Sequence, residues 1–210
     1  MLSEIRKRLS LNLFLSSFAG IYRNYFKTKR SRFGYIHKSA KVRFPILIKG
    51  IGNVYMYENS HLLSHAKLLT QSAKFIMKKN SFSAEGLTVS TGNHYPVVGV
   101  LARDIGERAK DVIVEEDVWL ASNVTLLEGV TVGRGAIVGG GAVCRKSVPP
   151  YSIVVGNPAK VVGFRFNPEE IIQHEIILYP EDERLSLELL EKNYKKYFLN
   201  RLKDIENYLK

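Results

Sequence analysis

The sequence predicts a mainly β chain built as a parallel β-helix, a solenoid of short stacked strands, with helical segments at both ends. Three observations lead there. An apolar or similar residue recurs every six positions at Val114, Leu120, Leu126, Val132, Val138 and Cys144. A small or β-branched residue follows each by four, at Val118, Val124, Val130, Ala136, Ala142 and Val148. Glycines Gly133 and Gly139 stand just after the first position, where backbone runs close to a turn. A helix repeats at 3.6 residues and an ordinary strand at 2, so neither template fits. A fixed six-residue repeat is the mark of a stacked parallel β-helix.

Each hexad reads as one short strand plus a tight turn, and three hexads make one triangular coil. The first position fills the interior and stacks on its equivalent one coil away. The fifth sits near a corner that admits only small or β-branched side chains. Coils pair with coils, so backbone groups are satisfied without long hairpins. No coil is stable alone, and the ends of the stack need caps.

The elements follow in order. Residues 1–43 form a basic N-terminal helix and connector. Leu2, Ile5, Leu9 and Leu13, then Phe14, Phe18, Tyr22 and Phe26, fall at helical spacing. This predicts an amphipathic helix over 1–28 that caps the first coil and protects its edge. It also reads as an interfacial helix on an anionic leaflet, and the two readings are compatible. Residues 29–43 read as a connector. Residues 44–166 form the β-helix domain. In its first half Met56, Leu62 and Leu68 keep the six-step, with Ser60, Ala66 and Ser72 at the fifth position. The register then slips by two to Ile76 and Phe82, with Asn80 and Gly86 at the small position. Residues 94–111 break the repeat as a loop, and such excursions tend to carry function. Residues 167–210 turn helical. Asn167-Pro168-Glu169-Glu170 starts one helix, Tyr179-Pro180 ends it, and a second is expected over 181–210.

Composition sets limits. The chain has 210 residues, 45% hydrophobic and 24% charged, which suits a globular protein. Its net charge of +11 is concentrated at one end. Residues 1–43 hold eleven Lys and Arg against the single acid Glu4, and the rest is nearly balanced. That asymmetry points to an anionic partner surface. The one cysteine, Cys144, excludes an internal disulfide framework and falls on an inward position, so it reads as core. No stretch approaches the roughly 18 apolar residues of a spanning helix. Residues 5–20 mimic a signal peptide, but Ser10, Asn12, Ser16 and Ser17 dilute the run. A cytoplasmic location is the expectation, with peripheral association at the inner face of the cytoplasmic membrane as the alternative that the basic head leaves open.

The hexads, the lone Trp119, the Gly139-Gly140-Gly141 run and the closing VVGNPAKVV at 154–162 resemble the hexapeptide-repeat acyltransferases. Within them the chain is similar to the branch of xenobiotic, maltose/galactoside and capsule or O-antigen O-acetyltransferases. The resemblance implies a left-handed winding, which crossover rules alone would not give. It also implies homotrimers with active sites between subunits, and acetyl-CoA as acyl donor.

His94 is the expected catalytic residue. It sits in Thr91-Gly92-Asn93-His94-Tyr95-Pro96, where the early coils leave for the loop. Acyl transfer from a thioester to an alcohol needs a base near neutral pKa, which histidine supplies. The family places its histidine similarly, with a tryptophan some two dozen residues later; here the separation is 25. The resemblance makes Trp119 a wall of the donor channel. It makes Ser122, Gly140 and Gly141 the small residues along which the donor's arm lies. Arg145 and Lys146, with Lys160 or Arg165, would meet its phosphates. On the acceptor side the candidates are Ser64, His65, Arg103 and Asp104. Related maltose/galactoside enzymes carry an asparagine where this chain has Ser64, which argues against identical sugar contacts.

The leading expectation is an acetyl-CoA-dependent O-acetyltransferase of a bacterial surface carbohydrate or its precursor. The rival is N-acetylation of a nucleotide-linked amino sugar, or of a xenobiotic. A non-catalytic β-helix scaffold is the reading from a different class. No metal is expected: the fold's other known enzymatic use is a zinc carbonic anhydrase with three converging histidines, and His61, His65 and His94 do not resemble that family's spacing. Nucleic acid is not an expected partner.

Overall fold

The computed structural model describes residues 2–22 and 28–209, and of residues 2–9 and 21 the backbone alone. The side chains of Leu2, Ile5, Arg6, Lys7, Arg8 and Leu9, and the residues Arg23, Phe26 and Lys27, therefore lie outside the described set.

Three parallel sheets wrap one core. The first face stacks Tyr35–Ile36, Val54–Met56, Phe75–Met77, Val112–Val114 and Thr131–Val132. The second stacks Lys41–Val42, His61–Leu62, Phe82–Ser83, Trp119–Leu120, Ile137–Val138 and Ser152–Val155. The third stacks Leu47–Lys49, Lys67–Leu69, Thr88–Ser90, Thr125–Leu126 and Val143–Cys144. The chain visits the faces in that order five times, giving five coils. An antiparallel strand, Lys160–Phe164, folds back on Ser152–Val155 and closes the stack. The hexapeptide register fits the left-handed parallel β-helix.

The first positions of the hexads, Val114 to Cys144, are all buried, and so are the fifth positions, Val118 to Val148. Each fully buried Leu, Val or Met contributes about 1.5–3 kcal/mol against exposure. Backbone donors reach one coil along, as in Trp119 N–H to the Ala136 carbonyl (3.0 Å) and Thr125 N–H to that of Ala142 (2.9 Å). The corners fall at the fourth position. Asn59, His65, Asn80, Gly86, Asp117, Asn123, Gly129, Gly135 and Gly141 all have φ between 53° and 77°. Only glycine and short polar or His side chains take this left-handed region readily. Gly133 and Gly139 serve differently: their φ is ordinary, but a Cβ would meet Pro150 or Val155 on the next coil.

Several expectations need correction. The coils begin at Tyr35, inside the stretch read as connector. The slip in the first half is three residues rather than two. Phe75, Met77, Ser83 and Val89 point inward, while Ile76 is half-buried and Phe82 stands exposed. Ser81 and Leu87 take the fifth position, and Asn80 and Gly86 are corner residues. The extra residues are absorbed by the bend at 71–73 before Phe75.

The N-terminal helix is α1 (Leu2–Tyr22), and its large apolar side chains among the described residues are exposed. Leu11, Phe14, Leu15, Phe18 and Tyr22 form a stripe at 100° per residue and are exposed; Leu13, on the opposite side, is exposed too, which breaks the amphipathic pattern. Gly20 borders a cavity of about 340 Å³ with Leu47 and His65. Arg30 donates to two carbonyls of the first coil, those of Ala40 (3.0 Å) and His37 (2.6 Å).

The C-terminal end is three helices. Helix α2 (Pro168–Leu178) has a full capping box between Asn167 and Glu170. The expected single helix over 181–210 divides into α3 (Leu187–Tyr197), capped by Ser186, and α4 (Leu202–Leu209). They part at Phe198, whose φ of −122° and ψ of −69° are not helical. A buried polar cluster fastens α2 to the coils. Glu175, fully buried, accepts from Tyr151 Oη (2.6 Å), Arg134 Nη1 (2.8 Å) and the Leu185 N–H (3.1 Å). Arg134 also pairs with Glu116 (3.2 Å) and lies 4.0 Å over the Tyr179 ring. Burial and the neighbouring Glu175 push the Tyr151 phenol far up, so it stays a donor.

Candidate active site

His94 stands at the mouth of the excursion between the third and fourth coils. Gly92–Asn93 pairs antiparallel with Arg108–Ala109, and this two-residue hairpin frames the loop. The Glu107 side chain, bonded to the Ser72 hydroxyl, lies in the space a Cβ on Gly92 would take. The ring Nδ1 of His94 lies 2.8 Å from the Ile105 carbonyl oxygen. A carbonyl only accepts, so Nδ1 carries the proton and Nε2 presents its lone pair to solvent. The His94 N–H donates to Asn93 Oδ1 (2.8 Å), and Asn93 Nδ2 donates to Glu128 Oε1 (2.9 Å). Tyr95 Oη donates to the same oxygen (2.8 Å) under the Arg108 guanidinium. Burial pushes the Glu128 carboxyl up, but hydrogen bonds from Asn93, Tyr95 and a backbone N–H, with the charge of Lys110, together lower it from its ordinary value. Glu128 belongs to the fourth coil, so the flanks of His94 are tied to the rigid solenoid.

Trp119 is 44% exposed on the second face. Its ring stacks on Phe82 one coil earlier, centroids 6.0 Å apart and planes within 19°. The register pairs Trp119 with Phe82 on one side and Ile137 on the other. Ser122, Gly140 and Gly141 stack at the corner between the second and third faces, where Gly141 N–H donates to the Ser122 carbonyl (2.9 Å). Ser64 and His65 occupy the same corner two coils earlier than Ser122. Ser64 is buried and gives its hydroxyl to Glu85 (2.5 Å), while His65 holds a left-handed turn.

Arg145, Lys146 and Lys160 line one cleft of about 410 Å³. Arg165 does not join them: it is bound to Asp117 (2.7 Å) and the Gly135 carbonyl (3.1 Å). Arg103 and Asp104 pair with each other at 3.4 Å in the exposed loop. Among the described residues no hydrogen bond, ion pair or ring contact joins His94 to Trp119, Ser122 or Arg145. His94 and the Arg145-Lys146 turn flank one edge of the third face, and Ser122, Gly140 and Gly141 flank the other. Cys144 is buried, and burial pushes its thiol up to about 12, so it is an inert core residue. Among the described residues no group of three His, Cys, Asp or Glu side chains could hold a metal ion.

Sequence reasoning missed Phe82, Asn93, Tyr95 and Glu128. The small residues Ser81 and Ser83 around Phe82 were the available signal. The link from Asn93 to Glu128 crosses 35 positions and had none.

Comparison with known proteins agrees with this architecture. Residues 111–146 match the family model "Bacterial transferase hexapeptide (six repeats)". A chloramphenicol acetyltransferase from Escherichia coli is 44% identical over 68 residues, covering 32% of this chain and 32% of that protein, so the shared stretch spans about a third of the relative. A maltose O-acetyltransferase from Clostridium difficile 630 shares the fold with a TM-score of 0.62 at 22% identity, covering 72% of this chain and 84% of that one. A hexapeptide-repeat acetyltransferase from Vibrio cholerae O1 biovar eltor, complexed with acetyl-CoA, gives a TM-score of 0.62 at 19% identity, covering 69% and 82%.

Proposed function

We propose that this hexapeptide-repeat β-helix protein is an acetyl-CoA-dependent O-acetyltransferase that acetylates a hydroxyl of a bacterial surface carbohydrate, or of its precursor, by direct transfer. The observation that carries the reading is the His94 ring, whose Nδ1–H is spent on the Ile105 carbonyl. Nε2 is left to take the acceptor's hydroxyl proton as its oxygen attacks the thioester carbonyl. When the C–S bond breaks, the imidazolium returns that proton to the departing thiolate. A backbone N–H stabilises the developing oxyanion.

The Trp119–Phe82 stack offers an apolar wall for the donor's arm, and the Ser122–Gly140–Gly141 corner offers backbone that an extended chain can approach. Arg145, Lys146 and Lys160 suit its phosphates. Arg165, already paired, is dropped from that set. Ser64 is committed to Glu85, so the acceptor meets His65 and the Arg103-Asp104 loop sooner than the Ser64 hydroxyl. The separation of His94 and the small-residue corner on opposite edges of one face supports a homotrimer, with each site completed by a neighbour. The exposed apolar side chains of α1, in a segment whose sequence is strongly basic, support peripheral contact with an anionic membrane at its inner face.

A second reading, a small xenobiotic alcohol as acceptor, is favoured by the 44% identity to a chloramphenicol acetyltransferase. One experiment separates them: acetyl-CoA turnover against polysaccharides, nucleotide amino sugars and small alcohols including chloramphenicol, with His94→Ala as control. His94-dependent release of free CoA with a polysaccharide supports the first reading. Turnover confined to chloramphenicol or to amines replaces the acceptor. No His94-dependent turnover with any acceptor removes the enzyme assignment.

A further inference from the structure

The C-terminal helices do more than cap the stack. The break at Phe198 turns the chain through a short 3-10 segment, Leu199–Arg201, and swings α4 across the closing strand. Ile205 is buried there, and Tyr208 covers Gly156 so closely that a Cβ on the glycine would strike the phenol oxygen. Lys160 Nζ sits 4.8 Å over the Tyr208 ring. This fixes Arg201 beside two cations of the coil end. Lys146, Lys160 and Arg201 share a cleft of about 270 Å³ with Tyr197. Lys160 and Arg201 share a second of about 280 Å³ with Asp204 and Tyr208. Lys160 also lines the cleft of Arg145 and Lys146. A line of four cations therefore runs from the fifth coil to α4. The one acid on it, Asp204, is 3.9 Å from Arg201 Nε, at the limit of ion pairing, and no other partner of the Arg201 side chain is found among the described residues.

We infer that Arg201 binds the ribose 3′-phosphate of the acyl donor, so that the C-terminal extension forms part of the donor site. The inference rests on the acetyl-CoA reading above. Its direction comes from position along the stack. His94 is at the third coil, Trp119 and Ser122 at the fourth, Arg145 and Lys146 after the fifth, Lys160 on the closing strand and Arg201 beyond it. A donor with its thioester at His94 puts its pyrophosphate near Arg145 and Lys146 and its phosphorylated ribose near Lys160 and Arg201. A guanidinium suits a phosphomonoester because it donates two parallel N–H bonds. The signal was absent from hexad spacing, because Arg201 lies 55 or more positions past the turns it joins.

The test compares binding of CoA and 3′-dephospho-CoA by calorimetry and by quenching of the single tryptophan, Trp119, on the full-length protein. The native protein is expected to prefer CoA by about tenfold or more, as one charge-assisted contact provides. Arg201→Gln should bring the ratio to within about twofold while leaving dephospho-CoA binding and the thermal midpoint unchanged. Arg201→Lys, which keeps the charge but not the fork, should leave an intermediate ratio, and it carries the test if the Gln variant does not fold. A folded variant that keeps the native preference overturns the role of Arg201 and leaves the donor assignment standing. Absence of any CoA binding by the native protein overturns both.

Discussion

His94 owes its chemical state to one backbone carbonyl. Because Ile105 takes the Nδ1 proton, the ring needs no carboxylate to fix its tautomer. His94→Ala is expected to lower kcat by about 10²–10⁴-fold, the usual worth of a general base, with CoA affinity within about twofold of native. A loss carried by CoA affinity alone would make His94 a binding residue. Glu128 gives a pH prediction. Its carboxyl lies below its usual range, so its folded value is below its unfolded one. The stability it adds is present at neutral pH and is lost as pH falls through the ordinary carboxylate range toward the folded value. Limited proteolysis at a pH below the ordinary carboxylate range should therefore cut the 94–107 loop well before the coils, and Glu128→Gln should show the same cleavage at pH 7. Equal loop cleavage in both proteins at both pH values would remove Glu128 as the anchor. The sequence made His94 legible through its place at the exit from the repeat. It could not show Ile105, which reaches the ring only because the hairpin closes.

At the scale of elements, the second half of the solenoid was readable because six hexads run unbroken and each position has one physical demand. The first half was not, because three inserted residues near 71–73 move the inward set from Ile76 to Met77. That shift turns Phe82 from core to surface, where it becomes the platform for Trp119. The corner rule would have exposed the slip. Asn59, His65 and Asn80 share the fourth position with glycines, and their common property is tolerance of positive φ rather than size. The C-terminal helices were legible as helices, but the cluster around Glu175 was not, since its members come from three distant segments. Removing Glu175 takes the acceptor from the buried Tyr151 hydroxyl and the Leu185 N–H and leaves Arg134 with Glu116 as its one remaining carboxylate partner among the described residues. Glu175→Ala is expected to destabilise the fold by about 3–5 kcal/mol in denaturant unfolding. A loss under about 1 kcal/mol would mean that the helices are held by apolar packing around Ile171 and Leu190 alone.

At the scale of the whole molecule, the chain has two kinds of unfinished surface. One is α1, whose large apolar side chains among the described residues are exposed. Deleting residues 1–28 should abolish sedimentation with anionic liposomes and leave acetyl-CoA turnover in solution intact; unchanged sedimentation would sink the membrane contact. The other is the third face, with the His94 loop on one edge and the small-residue corner on the other. In the proposed homotrimer a neighbouring copy brings them together, and subunit mixing tests this directly. His94→Ala lacks the base but keeps the corner. Gly140→Glu keeps the base but blocks the corner, at a position where a Cβ meets only the Ser122 carbonyl at 3.4 Å. Each variant alone should be inactive with an acceptor that the native protein uses. Co-expressed in equal amounts, they should give a population with about a quarter of native activity, because mixed trimers have about one site in three that pairs an intact base with an intact corner across an interface and about a quarter of the trimers are inactive homotrimers. Mixed trimers with no activity would contradict the account, since they would put His94 and its donor groove on the same chain.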